Sequence, residues 1–269
     1  MKALESMLVV AVLGLGTFVG AEVLSSRTAT VGKPVATDSD EGTLTRKLTR
    51  ARRSPVSVVS DAGMASPTRL APSEMRRRVS ESAEGTYIEQ MLVARDSAMT
   101  RWPDRTTRPL RVWVQRPALE GWTEEFYGAV QTAFDTWMEV GIPMHVSFVV
   151  DSASADVRVK FRDKFASGIS GKTVWSRDAY WWLLNGEIEL ALAHPSGGYV
   201  DAHQMRAIAL HEVGHLLGLD HTESTDHIMA PKVRVRDLSD GDRATVRLLY
   251  SMPAGSLRDR PAVRASAAR

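Results

Sequence analysis

The sequence predicts an α+β domain: a twisted mixed sheet of about five strands on two long helices, with one further helix on the C-terminal side. Three observations predict it. Between residues 109 and 252, short stretches with apolar residues at every second position alternate with two longer stretches whose apolar residues recur every three or four. The second long stretch, opening at Asp201, carries Met205, Ile208, Ala209, Val213, Leu216 and Leu217 and is apolar nearly all round. A helix of that kind is buried beneath other structure. Outside these bounds the composition shifts to Ser, Thr, Arg, Pro and Ala without sustained periodicity, which confines the packed unit to them.

Residues 1–21 have the composition of an export signal: Lys2, then an uncharged apolar run of 15 residues from Met7 to Ala21, closed by the small residues Val19-Gly20-Ala21. The run is shorter than the roughly 20 residues a helix needs to span a bilayer. A cleaved signal peptide is the expectation and an uncleaved N-terminal anchor the alternative; both place the rest of the chain outside the cytoplasm. Residues 22–83 read as a disordered basic linker, in which Arg50-Ala51-Arg52-Arg53 and Arg76-Arg77-Arg78 are solvated, protease-sensitive clusters. Residues 84–108 form a helical pre-segment, with Tyr87, Ile88, Met91 and Leu92 on one stripe and Trp102-Pro103 stopping it. So short a helix has to dock on something, either the main domain or, as a lid, its cleft.

Within residues 109–252 the elements follow in order. Residues 110–115 alternate as a strand. Thr123 is the N-cap of a helix reaching about residue 140, with Phe126, Val130, Ala133, Phe134, Trp137 and Met138 inward and Gly141 and Pro143 ending it. Residues 146–150 and 157–161 are two more strands. Residues 172–175 and 180–184 are expected as strands around a turn near Asp178, Asn185-Gly186 as a type I′ hairpin turn, and residues 187–193 as the next strand. Asp201-Ala202-His203-Gln204 is a capping box for the buried helix, and Ser239 with Asp242 caps the last one. Residues 253–269, rich in Ala and Arg, read as a disordered tail.

The chemistry is concentrated in residues 211–221, His-Glu-Val-Gly-His-Leu-Leu-Gly-Leu-Asp-His. His211 and His215, four apart, stack on one face of a helix and can grip one metal ion. Glu212 is rotated about 100° away, where it can flank the metal and accept a proton without ligating. Gly218 can enter the left-handed turn that ends a helix, and the chain then doubles back to present His221. Three neutral imidazoles and one water make the open tetrahedral site of catalytic zinc. With no cysteine in 269 residues, disulfides and thiolate ligands are excluded. A net charge of +2, from 34 basic and 32 acidic groups, argues against a nucleic-acid partner.

At these residues the sequence resembles the metzincin metallopeptidases, whose signature is H-E-x-x-H-x-x-G-x-x-H followed by a methionine-containing turn. His227-Ile228-Met229-Ala230-Pro231 is similar to that turn, and Pro231 resembles the matrixin branch, although Ala230 stands where matrixins often carry Tyr. The resemblance implies a metzincin-like catalytic domain over residues 109–252 and a zinc-dependent endopeptidase acting on protein or peptide substrates; a monomer is expected. In it one Zn²⁺ on His211, His215 and His221 activates a water and Glu212 is the general base. Met229 is implied as a floor beneath the metal. The resemblance assigns the sheet edge that receives substrate to Ile188, Glu189, Leu190, Ala191 and Leu192. It implies Ca²⁺ at Asp151 and Asp156, with solvated loop carboxylates as the alternative. The His-x-Asp spacing of the family's second zinc is missing around His194 and His203, and without cysteine no thiol can hold the enzyme latent. Two other readings remain at this point: a non-catalytic zinc-containing peptide-binding module, and a peptidase dedicated to one short peptide or partner.

Overall fold

The chain is described by a computed structural model over residues 70–95, 97–194 and 196–258, together with the backbone of Ala21–Leu24. The expected signal peptide or anchor, most of the linker and the end of the tail lie outside the described residues. In chain order the elements are β1 (Ala21–Leu24), α1 (Pro72–Ser82), α2 (Ile88–Ala94), β2 (Ala98–Met99), β3 (Arg105–Val114), α3 (Glu124–Met138), β4 (Met144–Phe148), β5 (Val157–Arg162), β6 (Gly171–Arg177), β7 (Leu183–Ala191), α4 (Ala202–Leu216), α5 (Asp240–Ser251) and β8 (Gly255–Ser256).

The main sheet has the order β1-β6-β7-β5-β3-β4. Its pairs are parallel except β6 with β7, which is antiparallel. The α+β class, with α3 and α4 packed against a mixed sheet, is the expected one. Alternation decides which face is covered. Val157, Val159 and Phe161 of β5 and Ile188 and Leu190 of β7 are buried. The residues between them form a charged outer face, with ion pairs Lys160–Glu187 at 2.6 Å and Arg162–Glu189 at 2.5 Å. Exposed pairs of this kind stabilise little; the energy lies on the other face, around the fully buried Phe134, Trp137, Leu183 and Leu210.

Several boundaries differ from the sequence expectation. The linker ends earlier than residue 83, because α1 occupies 72–82. Met75 and Val79, four apart, are its buried face, while Arg77 bridges Glu74 at 2.8 Å and Glu81 at 2.7 Å on the exposed side. The expected tail begins with structure, since β8 pairs antiparallel with β2 and Leu257 is buried. Of the two turns expected here, the one near Asp178 forms, over Asp178–Trp182, and the one at Asn185-Gly186 does not. Asp178 Oδ1 accepts the Tyr180 and Trp182 amides at 2.8 and 2.9 Å, and the Asp178 amide donates to the Trp182 carbonyl at 2.9 Å. Asn185 and Gly186 instead lie inside β7, paired with Ser176 and Trp175. Gly186 is there for packing: a Cβ on it would stand 2.5 Å from Leu216 Cδ1 of α4.

Ile188, Glu189, Leu190 and Ala191 are not an edge. They pair with β5 on one side and with β6 on the other, and Leu192 follows directly, its amide bonded to the Arg162 carbonyl at 2.8 Å. On the far side of β7 from β5 lies β6, and the outer side of β6 is covered by the backbone of Ala21–Leu24, which runs parallel to it from Ala21 opposite Gly171 to Leu24 opposite Val174.

Candidate metal centre

Helix α4 begins as the sequence predicts. Asp201 accepts the Gln204 amide at 2.8 Å, and Gln204 Oε1 accepts the Asp201 amide at 2.9 Å. Two indoles fix the helix along its length: Trp137 Nε1 donates to the Leu210 carbonyl at 2.8 Å, and Trp102 Nε1 to the Leu216 carbonyl at 2.9 Å. The hydroxyl of Tyr250 donates to the Leu217 carbonyl at 3.1 Å. The remaining carbonyls of the last turn, of Val213, Gly214 and His215, accept the Leu217, Leu219 and Gly218 amides. Gly218 then turns the chain with φ +102°, and a Cβ there would stand 2.0 Å from the Thr100 carbonyl oxygen. Only glycine fits.

This turn brings His221 back over the helix. The Nε2 of His215 lies 3.1 Å from that of His211 and 3.2 Å from that of His221. Nitrogens 2.0–2.1 Å from one tetrahedral ion stand about 3.3 Å apart, so the spacing suits a single zinc. The tautomers suit it too. His211 Nδ1 donates to the Ile228 carbonyl at 2.7 Å, and His215 Nδ1 donates to the Leu219 carbonyl at 3.1 Å. With the protons on Nδ1, unprotonated Nε2 atoms face one another, an arrangement that calls for a cation between them. Burial pushes the His211 pKa down to about 3 and holds His215 well below the ordinary imidazole range; His221, less buried, is lowered in the same direction for the same reason. Among the described residues this is the one group of three or more metal-binding side chains whose ligand atoms converge.

Glu212 points from the same helix toward β6. Its Oε2 accepts the Thr173 hydroxyl at 2.6 Å, while Oε1 is buried without a partner. A Cβ at position 171 would lie 2.3 Å from Oε1, so Gly171 leaves the carboxylate its room. Burial raises the Glu212 pKa to about 8, against the lowering effect of Thr173. Met229 is fully buried, its sulfur where a Cβ of Gly214 would come within 2.3 Å, so it packs against α4 between His211 and His215 in sequence.

The calcium expectation finds no support at Asp151 and Asp156. Asp156 is bound by Arg111, whose Nη2 lies 2.9 Å from Oδ1, and Asp151 accepts the Ala153 amide at 2.9 Å in a local turn. His194 and His203 do not converge with other ligands; His194 Nε2 lies 3.3 Å from Gln204 Oε1. Sequence reasoning missed Thr173 and Gly171, because their role depends on which strand lies beside α4. It read Asp242 as part of the α5 cap but missed its second contact, in which Oδ2 accepts the Ile228 amide at 2.9 Å, steadying the segment whose carbonyl orients His211. Tyr87 donates to the same carboxylate, at 3.0 Å.

The comparisons with known proteins point the same way. The sequence model of one family, described as Matrixin, matches residues 102–251. The chain is 25% identical over 177 residues to Metalloendoproteinase 1 of Glycine max, covering 57% of this chain and 54% of that protein. It is 30% identical over 141 residues to Metalloendoproteinase 1-MMP of Arabidopsis thaliana, covering 48% of this chain and 38% of that protein. It is 29% identical over 160 residues to Metalloendoproteinase 5-MMP of the same plant, covering 53% and 41%. The chain thus spans about half the length of these relatives, or less. Since the family match takes in more than half of the chain, including all three histidines, the chain belongs to the matrixin family.

Proposed function

We propose that the protein is a zinc-dependent endopeptidase that acts, as a monomer outside the cytoplasm, on extended protein or peptide segments. The observation carrying this reading is the convergence of three Nε2 atoms, with that of His215 3.1 and 3.2 Å from the other two, together with a buried, unpaired carboxylate oxygen on Glu212, the residue next to His211. Zinc bound to His211, His215 and His221 supplies Lewis acidity, polarising a carbonyl and acidifying a water. The chain's own residues do the rest. Glu212 Oε1 accepts the proton of the attacking water while Thr173 holds Oε2. As the C–N bond breaks, the same carboxyl returns the proton to the leaving nitrogen. Glu212 is useful in both directions because its pocket disfavours a permanent charge and a nearby dication favours one.

Substrate is placed along the outer edge of β6 as an added strand. Main-chain pairing of this kind admits varied sequences. Support comes from the chain itself, since Ala21–Leu24 adds to that edge as a strand. Export is supported by the composition of residues 1–21.

The test is cleavage of an unfolded protein by the zinc-loaded full chain, read as new N-termini by mass spectrometry. Wild type is expected to cut at internal bonds and to stop on chelation. Glu212→Gln is expected to bind about one zinc and to cut about 10²–10⁴-fold more slowly. A wild type that binds zinc tightly, cuts nothing and behaves like Glu212→Gln would make the protein a zinc-containing peptide-binding module.

A further inference from the structure

The matrixin match begins at residue 102, yet the loop that carries the third histidine is gripped by residues ahead of it. Gln90 Oε1 accepts the Thr222 hydroxyl and the Glu223 amide, both at 3.0 Å. Arg95, at the C-terminal end of α2, reaches further in, with its side chain only 8% exposed. Its Nη2 donates to the Leu219 carbonyl at 2.8 Å, the same oxygen that accepts His215 Nδ1 at 3.1 Å. Its Nε donates to Asp220 Oδ2 at 2.7 Å, and Asp220 Oδ1 accepts the His221 amide at 2.8 Å. The guanidinium carbon lies 5.2 Å from the centre of the Trp175 ring on β6.

We propose that Arg95 is a positioning residue of the metal centre, so that the segment ahead of the matrixin match is a working part of the zinc domain. This rests on reading His211, His215 and His221 as the zinc ligands. One guanidinium sits one acceptor away from two of the three ligands: through the Leu219 carbonyl it fixes the His215 ring, and through Asp220 it fixes the backbone from which His221 projects. Arginine suits the place because its planar fork serves two acceptors at once, stacks on an aromatic face and stays charged. Asp220 balances that charge beside a site meant for a dication. Groups that orient metal ligands in this way affect affinity as well as packing.

Zinc affinity of the full chain, measured by competition with a chromophoric chelator, separates this role from plain packing. Arg95→Met is expected to raise the zinc Kd about 10–100-fold, with the far-UV circular dichroism of the metal-free protein unchanged. Arg108→Met, at an exposed arginine, should leave the Kd alone. Arg95→Lys keeps the charge but cannot serve both acceptors; it is expected to fold and still bind zinc several-fold more weakly, and it decides the matter if Arg95→Met does not fold. Wild-type Kd in the folded Arg95→Lys or Arg95→Met protein, accompanied only by a lower melting temperature, would overturn the proposal and make Arg95 a packing residue. A wild-type chain that binds no zinc would sink the ligand reading itself, and the proposal with it.

Discussion

His211 and His215 reach the metal position from one helix, whereas His221 reaches it from a loop, and the two cases depend on different parts of the chain. The helical pair needs only the four-residue spacing and a helix that forms, and α4 is capped, buried and held by Trp137 and Trp102. The loop histidine needs a left-handed glycine, an acid on its own backbone amide and contacts from a segment more than a hundred residues earlier. Ligands fixed by local geometry can be read from spacing. A ligand fixed by tertiary contacts can be named from spacing, but what holds it cannot.

The largest expected effect breaks the pair. His215→Ala leaves no two ligands adjacent on the helix, and both zinc, by metal analysis, and turnover should fall to background. His221→Ala keeps the helical pair, so weak zinc binding should persist while turnover is lost; equal zinc retention in the two variants would remove the distinction drawn here.

Acid comes next. The folded pKa of His211 is about 3 and that of His215 is well below 6.5, so both must charge on unfolding. Their contribution to the metal-free protein is complete above pH 6.5 and is lost as pH falls from there toward about 3. Glu212 acts in the other direction: its folded pKa of about 8 exceeds the ordinary 4.5, so its contribution is complete below pH 4.5 and is lost as pH rises through 8. Two or more protons on the acid side outweigh one on the alkaline side. Denaturant melts of the metal-free protein should show greatest stability around pH 6.5, with the steeper fall on the acid side; a symmetric or alkaline-steeper profile would contradict this.

The handover from helix to loop is probed by two glycines. Gly218→Ala places a side chain at φ +102° and drives its Cβ into the Thr100 carbonyl, which cannot rotate away. A loss of at least about 1–3 kcal/mol is expected in chemical melts. Gly214→Ala meets chiefly the flexible Met229 side chain, with Trp137 Cζ2 at 3.0 Å as a tighter second contact, and should cost about 1 kcal/mol, the low end for an overpacked core. The reverse order would mean that the Met229 floor is more rigid than the turn. The smallest effect concerns the β6 edge: deleting residues 1–24 removes the strand that competes for it, and should lower KM with kcat unchanged.

Much of this was legible in the sequence. The three histidines that converge follow from spacing, and both capping boxes and the stop at Gly218 follow from local rules that the structure bears out. Strand order was not legible, because consecutive strands need not be neighbours and an edge is a property of the whole sheet. That is why Ile188–Leu192, placed at an edge by the resemblance, turns out to be flanked by β5 and β6. Asn185-Gly186 misled for a related reason: the pair has the chemistry of a turn, but Gly186 lies inside a strand so that Leu216 can approach it. Arg95 carries no local signal. Its partners Leu219 and Asp220 lie over 120 residues away, and nothing in the spacing around it points to them.

X-ray absorption at the zinc edge of the reconstituted full chain tests the central claim most directly. Three imidazole nitrogens at about 2.0–2.1 Å and one oxygen from solvent are expected, an open site built by His211, His215 and His221. A shell with two imidazoles, or one closed by a fourth protein ligand, would contradict it.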